Sequence, residues 1–283
     1  MERTPSLVVF APSSLPEKEK VLEGLKELKT WGIKTENLAF SLPRSPEALA
    51  KKVFELLCRK DLDYLMAARG GFGCLRLLPF LEKLFDAQGF SSRTPIILGY
   101  SDITVLQLYL YFKTGQISIS MPNLVEIVKL SAKEKEILKR LLFRKIGKLE
   151  LKGEALEEGE AEGVVLGGNL ISLASLCGTP FFELKEEVIL CVEEVNEKPY
   201  RIERALLQVI YSWGKGKIKG IIFGNLDRVS GREIYNRIKR YLPGNIAVGW
   251  GFPFGHKGKK LPFLIGKKGQ LICKNEAILI QEV

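Results

Sequence analysis

Short apolar runs alternate with helically spaced apolar positions over the first half of the chain. Leu7 to Ala11 is an apolar run of strand length, and the Lys/Glu-rich stretch from Glu17 to Lys29 has the pattern of a helix. Thr35 to Phe40 predicts a second strand. Ser45-Pro46-Glu47 combines an N-cap, a proline at the first helical turn and an acidic residue, and so opens a helix that runs to Lys60. Asp63 to Ala68 and Pro95 to Gly99 predict further strands, the second leading into a helix from Ile103 to Lys113. Ser131-Ala132-Lys133-Glu134 is a capping-box sequence that starts a last helix through Leu142. Alternation at this spacing predicts a mainly parallel sheet with helices on both faces, because parallel neighbours need a crossover long enough to hold a helix.

The pattern changes in the acidic, glycine-punctuated segment Gly153 to Glu160. Residues 145–162 are expected to hold the boundary between an α/β domain, 1–150, and a second domain, 160–283. Beyond it, Val164 to Leu166, Val188 to Val192, Gly220 to Phe223, Ala247 to Gly249, Leu271 to Cys273 and Ala277 to Ile280 predict short strands. One helix, Tyr200 to Trp213, lies among them. Many short strands between glycine turns predict a smaller, β-rich, barrel-like domain.

Composition narrows the function classes. At 283 residues with 46% apolar content the chain has room for two domains and a large core. The opening apolar run is too short for a secretory signal, and no stretch reaches the roughly 20 apolar residues that span a bilayer, so a cytoplasmic protein without membrane partners is expected. The five scattered cysteines (Cys58, Cys74, Cys177, Cys191, Cys273) form no CxxC pair and read as reduced thiols. With a single histidine besides, neither a zinc site nor another cofactor is expected. The net charge of +10 can attract nucleic acid. Its densest run, Gly214 to Lys219, and the echoes at His256 to Lys260 and Lys267-Lys268 are glycine-spaced and poor in arginine and aromatics. That is the composition of solvated turns, so no nucleic-acid partner is expected.

The lone imidazole, His256, closes the Gly/Pro-rich turn Trp250 to His256, so any imidazole chemistry has one candidate. In Ile97-Leu98-Gly99-Tyr100-Ser101-Asp102-Ile103-Thr104 a strand ends at Gly99 and a helix begins just past Ser101. A serine on such a turn is held out beside the unpaired N–H groups of a helix N-terminus, which can stabilise an oxyanion; equally, Ser101 can be an ordinary helix cap. The hydrolase elbow G-x-S-x-G is matched in part, with Ile103 replacing the second glycine. Val188 to Glu194 runs an apolar strand into two carboxylates: Glu193 continues the strand and can orient an imidazole, with Glu194 facing water. In Ala67-Ala68-Arg69-Gly70-Gly71-Phe72-Gly73, the Gly71 amide is either a second oxyanion donor or part of an ordinary glycine turn. Arg76 stands where a dinucleotide fingerprint needs glycine, and no P-loop is present. Val165-Leu166-Gly167-Gly168-Asn169-Leu170 reads as packing at the start of a helix. The order Ser101, Glu193, His256 is that of nucleophile, orienting acid and base in α/β-hydrolases.

Six segments carry a resemblance: Arg69-Gly70-Gly71-Phe72-Gly73, Gly99-Tyr100-Ser101-Asp102, Leu166-Gly167-Gly168-Asn169-Leu170, Gly178-Thr179-Pro180, Val192-Glu193-Glu194 with Pro199-Tyr200-Arg201-Ile202-Glu203-Arg204, and Gly255-His256. In this order, over nearly the whole chain, the set resembles the LD-carboxypeptidase family, serine peptidases that include the microcin C immunity proteins. The resemblance implies an N-terminal α/β domain carrying Ser101 as nucleophile. It implies a C-terminal barrel-like domain carrying Glu193 as orienting acid and His256 as base, with the amides of Gly71 and Asp102 as oxyanion hole. It further implies a cytoplasmic, metal-independent homodimer that releases the terminal D-alanine of murein tetrapeptide through an acyl-enzyme, in peptidoglycan recycling. The alternatives are a microcin-immunity-like hydrolase of peptidyl-nucleotide amides and a non-catalytic peptide- or nucleotide-binding protein. Two departures stand out: Glu193-Glu194 replaces the frequent Glu-Asp, and Phe263-Leu264-Ile265-Gly266, with Pro262 upstream, replaces Leu-Pro-x-Gly.

Overall fold

A computed structural model of the chain describes residues 4–89, 94–214, 216–244 and 246–283; Met1 to Arg3 of the opening run and Lys215 of the basic run lie outside them. Residues 1–145 and 146–283 form two compact units. The first contains β1 (Ser6–Phe10), α1 (Lys18–Thr30), β2 (Lys34–Asn37), α2 (Pro46–Leu57), β3 (Tyr64–Ala67), α3 (Leu78–Gln88), β4 (Ile96–Gly99), α4 (Ile103–Thr114), β5 (Ser118–Ser120) and α5 (Ala132–Leu142). Its strands pair in parallel in the order β5-β4-β3-β1-β2. The chain steps out to β2, returns past β1 to β3 and continues to β5. Right-handed crossovers then put α1 on one face and α2, α3 and α4 on the other. Accordingly α2 packs on α3, while α1 packs on the 3-10 turn Leu124–Lys129. Covered on both faces, β3 is buried throughout, whereas the edge strand β2 is polar and largely exposed. The direction of winding reverses between β1 and β3. The loops beyond the carboxyl ends of the strands near such a reversal are where open α/β sheets bind ligands.

The second unit contains β6 (Lys148–Glu157), β7 (Gly159–Asn169), α6 (Leu170–Ala174), β8 (Val188–Glu193), α7 (Pro199–Trp213), β9 (Ile218–Phe223), α8 (Gly231–Ile238), β10 (Ala247–Trp250), β11 (Phe263–Ile265), β12 (Lys268–Cys273) and β13 (Ala277–Glu282). Seven strands close a barrel in the order β10-β6-β13-β12-β7-β8-β9. From β7 through β8 and β9 to β10 the pairing is parallel, and the remaining pairs are antiparallel. The two halves carry different sequence patterns. Each parallel pair is joined through a helix, and β8 is buried at every position. In the antiparallel half, β6 buries Leu149 and Leu151 and exposes the alternating charges Lys148, Glu150 and Lys152. The apolar stripe Ile202, Ala205, Leu206, Val209, Ile210 and Trp213 makes α7 a covering helix, each large side chain contributing about 1.5–3 kcal/mol on burial. Gln281 ties β11 to β13 as a strand would: its amide oxygen accepts from Leu264 N at 2.9 Å and its nitrogen donates to Leu264 O at 2.8 Å.

The acidic segment Gly153 to Glu160 is strand, with β6 running through it to Glu157 and β7 opening at Gly159. The following expectations are corrected. The strand expected to reach Phe40 ends at Asn37, whose Oδ1 accepts from Ala39 N at 3.1 Å and turns the chain. Besides α7 and the helix expected to start at Leu170, α6, the second unit holds α8. In α8, Ser230 accepts from Glu233 N at 3.1 Å and caps two helical turns that are too short for a visible periodicity.

Candidate active site

Ser101 occupies the turn between β4 and α4 with φ of 67°. A side chain there costs on the order of 1–2 kcal/mol, so the surroundings must hold it. They do so through Asp102, 7% exposed, whose carboxylate accepts from Ser13 Oγ at 2.5 Å and from Cys74 N at 2.9 Å. The loops after β1, β3 and β4 are thereby tied together beside the serine. On the other flank Tyr100 N donates to the buried Asn123 at 3.4 Å and Tyr100 OH donates to Glu126 at 2.7 Å. The N-cap position of α4 is held by Asp102, whose side chain makes no cap hydrogen bond, and not by Ser101.

Glycine is required beside this turn. A Cβ on Gly70 would lie 2.7 Å from Ser101 Cβ and 2.9 Å from its Oγ. A Cβ on Gly71, where φ is 123°, would collide with Ser14, whose Oγ accepts from Phe72 N at 3.2 Å. Gly71 and the Asp102 position at the head of α4 thus lie on loops pinned around Ser101. The nearby Cys74 is no rival nucleophile: burial first, and the Asp102 carboxylate second, push its thiol well above the usual range.

In the second unit the carboxyl ends of the parallel strands converge. His256 Nδ1 lies 2.7 Å from Glu193 Oε2 at the end of β8, with the Glu193 side chain 3% exposed and the imidazole 20% exposed. A carboxylate can only accept, so in the neutral ring the proton sits on Nδ1 and Nε2 carries the lone pair. Gly255 permits the approach: its φ is 119°, and a Cβ there would lie 3.1 Å from both Glu193 and Asn225. Among the described residues, Glu193 Oε1 is buried without a hydrogen-bond partner.

Glu194, expected to face water, is 3% exposed. Its carboxylate accepts from Asn169 Nδ2 at 3.0 Å, Val195 N at 2.9 Å and Ile171 N at 2.9 Å, which holds the start of α6 against β8. Burial raises its pKa, the backbone and Asn169 hydrogen bonds oppose that rise, and the Glu193 charge adds to it. The glycines before Asn169 do pack closely, since a Cβ on Gly167 would overlap the carbonyl oxygen of Cys191.

Sequence reasoning passed over the residues that join the Glu193 and His256 loops. Asn225 O accepts from Glu194 N at 3.0 Å, and Asn225 N donates to Phe254 O at 2.9 Å. The Asp227 carboxylate accepts from Asn196 N at 3.2 Å and pairs with Lys257, the residue after His256. That lysine holds the Asp227 carboxyl below its ordinary range, so one of the lysines read as a solvated turn is in an ion pair. Gly224-Asn225-Leu226-Asp227 follows directly on β9, so the strand-end criterion that singled out Glu193 would have found it. Among the described residues, no group of three His, Cys, Asp or Glu is placed to hold a metal ion. No described helix is long and apolar enough to cross a membrane.

The chain matches the LD-carboxypeptidase N-terminal domain over residues 7–121 and the LD-carboxypeptidase C-terminal domain over residues 162–271. It is 29% identical over 207 residues to the murein tetrapeptide carboxypeptidase of Pseudomonas aeruginosa, covering 69% of this chain and 66% of that one. It is 26% identical over 316 residues to the microcin C7 self-immunity protein MccF of Escherichia coli, covering 96% of this chain and 91% of that one. The crystal structure of muramoyltetrapeptide carboxypeptidase from Oxalobacter formigenes superposes with a TM-score of 0.81 at 26% identity, over 98% of this chain and 99% of that one. The chain belongs to the LD-carboxypeptidase family of serine peptidases.

Proposed function

We propose that the protein is a murein tetrapeptide LD-carboxypeptidase working through Ser101, Glu193 and His256. The reading is carried by the 2.7 Å pairing of the chain's only imidazole with a buried carboxylate. The N-terminal domain, 1–150, supplies the nucleophile, and the C-terminal domain, 160–283, supplies the acid and the base. Ser101 Oγ attacks the carbonyl of the L,D-amide bond and His256 takes its proton, while Glu193 stabilises the imidazolium that forms. The amides of Gly71 and Asp102 receive the oxyanion, each donor contributing about 100- to 1000-fold in rate. His256 then protonates the leaving D-alanine, and water resolves the ester by the same route. The recycling role places the enzyme in the cytoplasm, where its free cysteines stay reduced, and it acts there as a homodimer.

The test is mass spectrometry of murein tetrapeptide incubated with wild-type protein and with Ser101→Ala. The expected result is loss of D-alanine with the wild type and a fall of about 10⁴- to 10⁶-fold in the variant. Full activity in Ser101→Ala ends the mechanism. The similarity to the microcin C7 self-immunity protein favours a second reading, the same chemistry on a peptidyl-nucleotide amide, and that amide belongs in the same assay.

A further inference from the structure

The loop after β3 exposes an apolar ring that packing does not account for. Phe72 is 62% exposed, the most of any large apolar side chain among the described residues. The loop that carries it is firmly held: Gly71 and Gly73 have φ of 123° and 138°, Phe72 N donates to Ser14 Oγ at 3.2 Å, and Cys74 N donates to Asp102 at 2.9 Å. The Arg76 guanidinium stacks on the ring, its Cζ 4.5 Å from the centroid. Arg59, Arg201 and Arg237 each pair with a glutamate, but no carboxylate pairs with Arg76 among the described residues. Stacking fixes the plane of a guanidinium and leaves its N–H edge for a planar anion. Phe72 is two residues from Gly70, where a Cβ would meet Ser101, so at most about 7 Å separates the Phe72 Cα from that of the residue backing the nucleophile.

We propose that Phe72 and Arg76 form the subsite for the substrate's free terminal carboxylate, a proposal that rests on the reading of Ser101 as the nucleophile. An enzyme that cuts only the last residue must distinguish a chain end from an internal amide. The anion that marks the end lies one carbon beyond the nitrogen of the scissile bond. Arginine matches a carboxylate with two parallel hydrogen bonds. The Phe72 ring holds the guanidinium in place and offers an apolar wall to the alanine methyl.

Calorimetry decides it. A murein tetrapeptide ending in free D-alanine, and its C-terminal amide, are titrated into Ser101→Ala protein with and without Arg76→Ala. We expect the acid to bind about 10- to 100-fold more tightly than the amide, and Arg76→Ala to erase that preference while leaving amide binding unchanged. Phe72→Ala should weaken acid binding about 3- to 10-fold, and Arg76→Lys should restore only part of the preference. Equal binding of acid and amide, no binding of either, or a preference that survives Arg76→Ala overturns the subsite. Turnover by wild-type protein is followed alongside. Hydrolysis without a carboxylate preference removes the subsite alone, while a preference erased by Arg76→Ala without hydrolysis removes the catalytic reading alone.

Discussion

A methyl group at Gly70 is the smallest change that tests the serine turn. Placed 2.7 Å from Ser101 Cβ, it must displace the serine, because neither atom is the free end of a flexible chain. Displacements near 1 Å in a catalytic group cost on the order of 100-fold. Gly70→Ala should therefore lose about that much kcat/KM while its thermal melt moves by only a few degrees. Glu194 tests the opposite idea, a carboxylate whose role is support. Burial raises its pKa above 4.5, so its contribution to stability is fully present below 4.5 and is lost as pH rises through the folded-state value. Glu194→Gln does not titrate there, so wild type should lose stability relative to the variant as pH climbs from 4.5 to neutrality. Thermal melts at several pH values read the difference, and a gap independent of pH would remove burial as the cause.

At the scale of elements, the capping box on α5 gives a clean control. Ser131 Oγ accepts from Glu134 N at 3.3 Å, and Glu134 Oε2 accepts from Ser131 N at 2.9 Å. Ser131→Ala should cost about 1 kcal/mol in a denaturant melt and leave turnover intact. Asp227→Asn should behave in reverse. It loosens the loop after His256 from the loop after Glu193, and about a tenfold loss of kcat is expected with little change in melting, since Lys257 is 55% exposed. These elements also show what a sequence discloses. The strand before Ser101 and the capped helices α2 and α5 were legible because local patterns determine them. The pairing of Glu193 with His256 was legible because a strand end and a lone imidazole both stand out. Ser13, Asn225 and Asp227 were not, because a polar loop residue looks alike whether it meets solvent or a partner 30 to 90 positions away. The strand β6 and the start of β7 were hidden by their outward charges, which resemble a linker until alternation is weighed against a closing barrel, whereas Val164 to Leu166 of β7 stood out as an apolar run.

For the whole molecule, sedimentation should report twice the 31.8 kDa of one chain, and a monomer at working concentration would remove the homodimer. The barrel has a consequence for how copies can meet. Because β10 bonds to both β6 and β9, its ladder ends where it began. A closed ladder offers no row of spare amides and carbonyls onto which a foreign strand can be stitched. In the first unit the outer strand β2 carries Lys34 and Glu36, both exposed, which discourages the same annexation. Fibril seeding and strand exchange are closed off along the ring, and two copies that recognise one another there must do so through side chains.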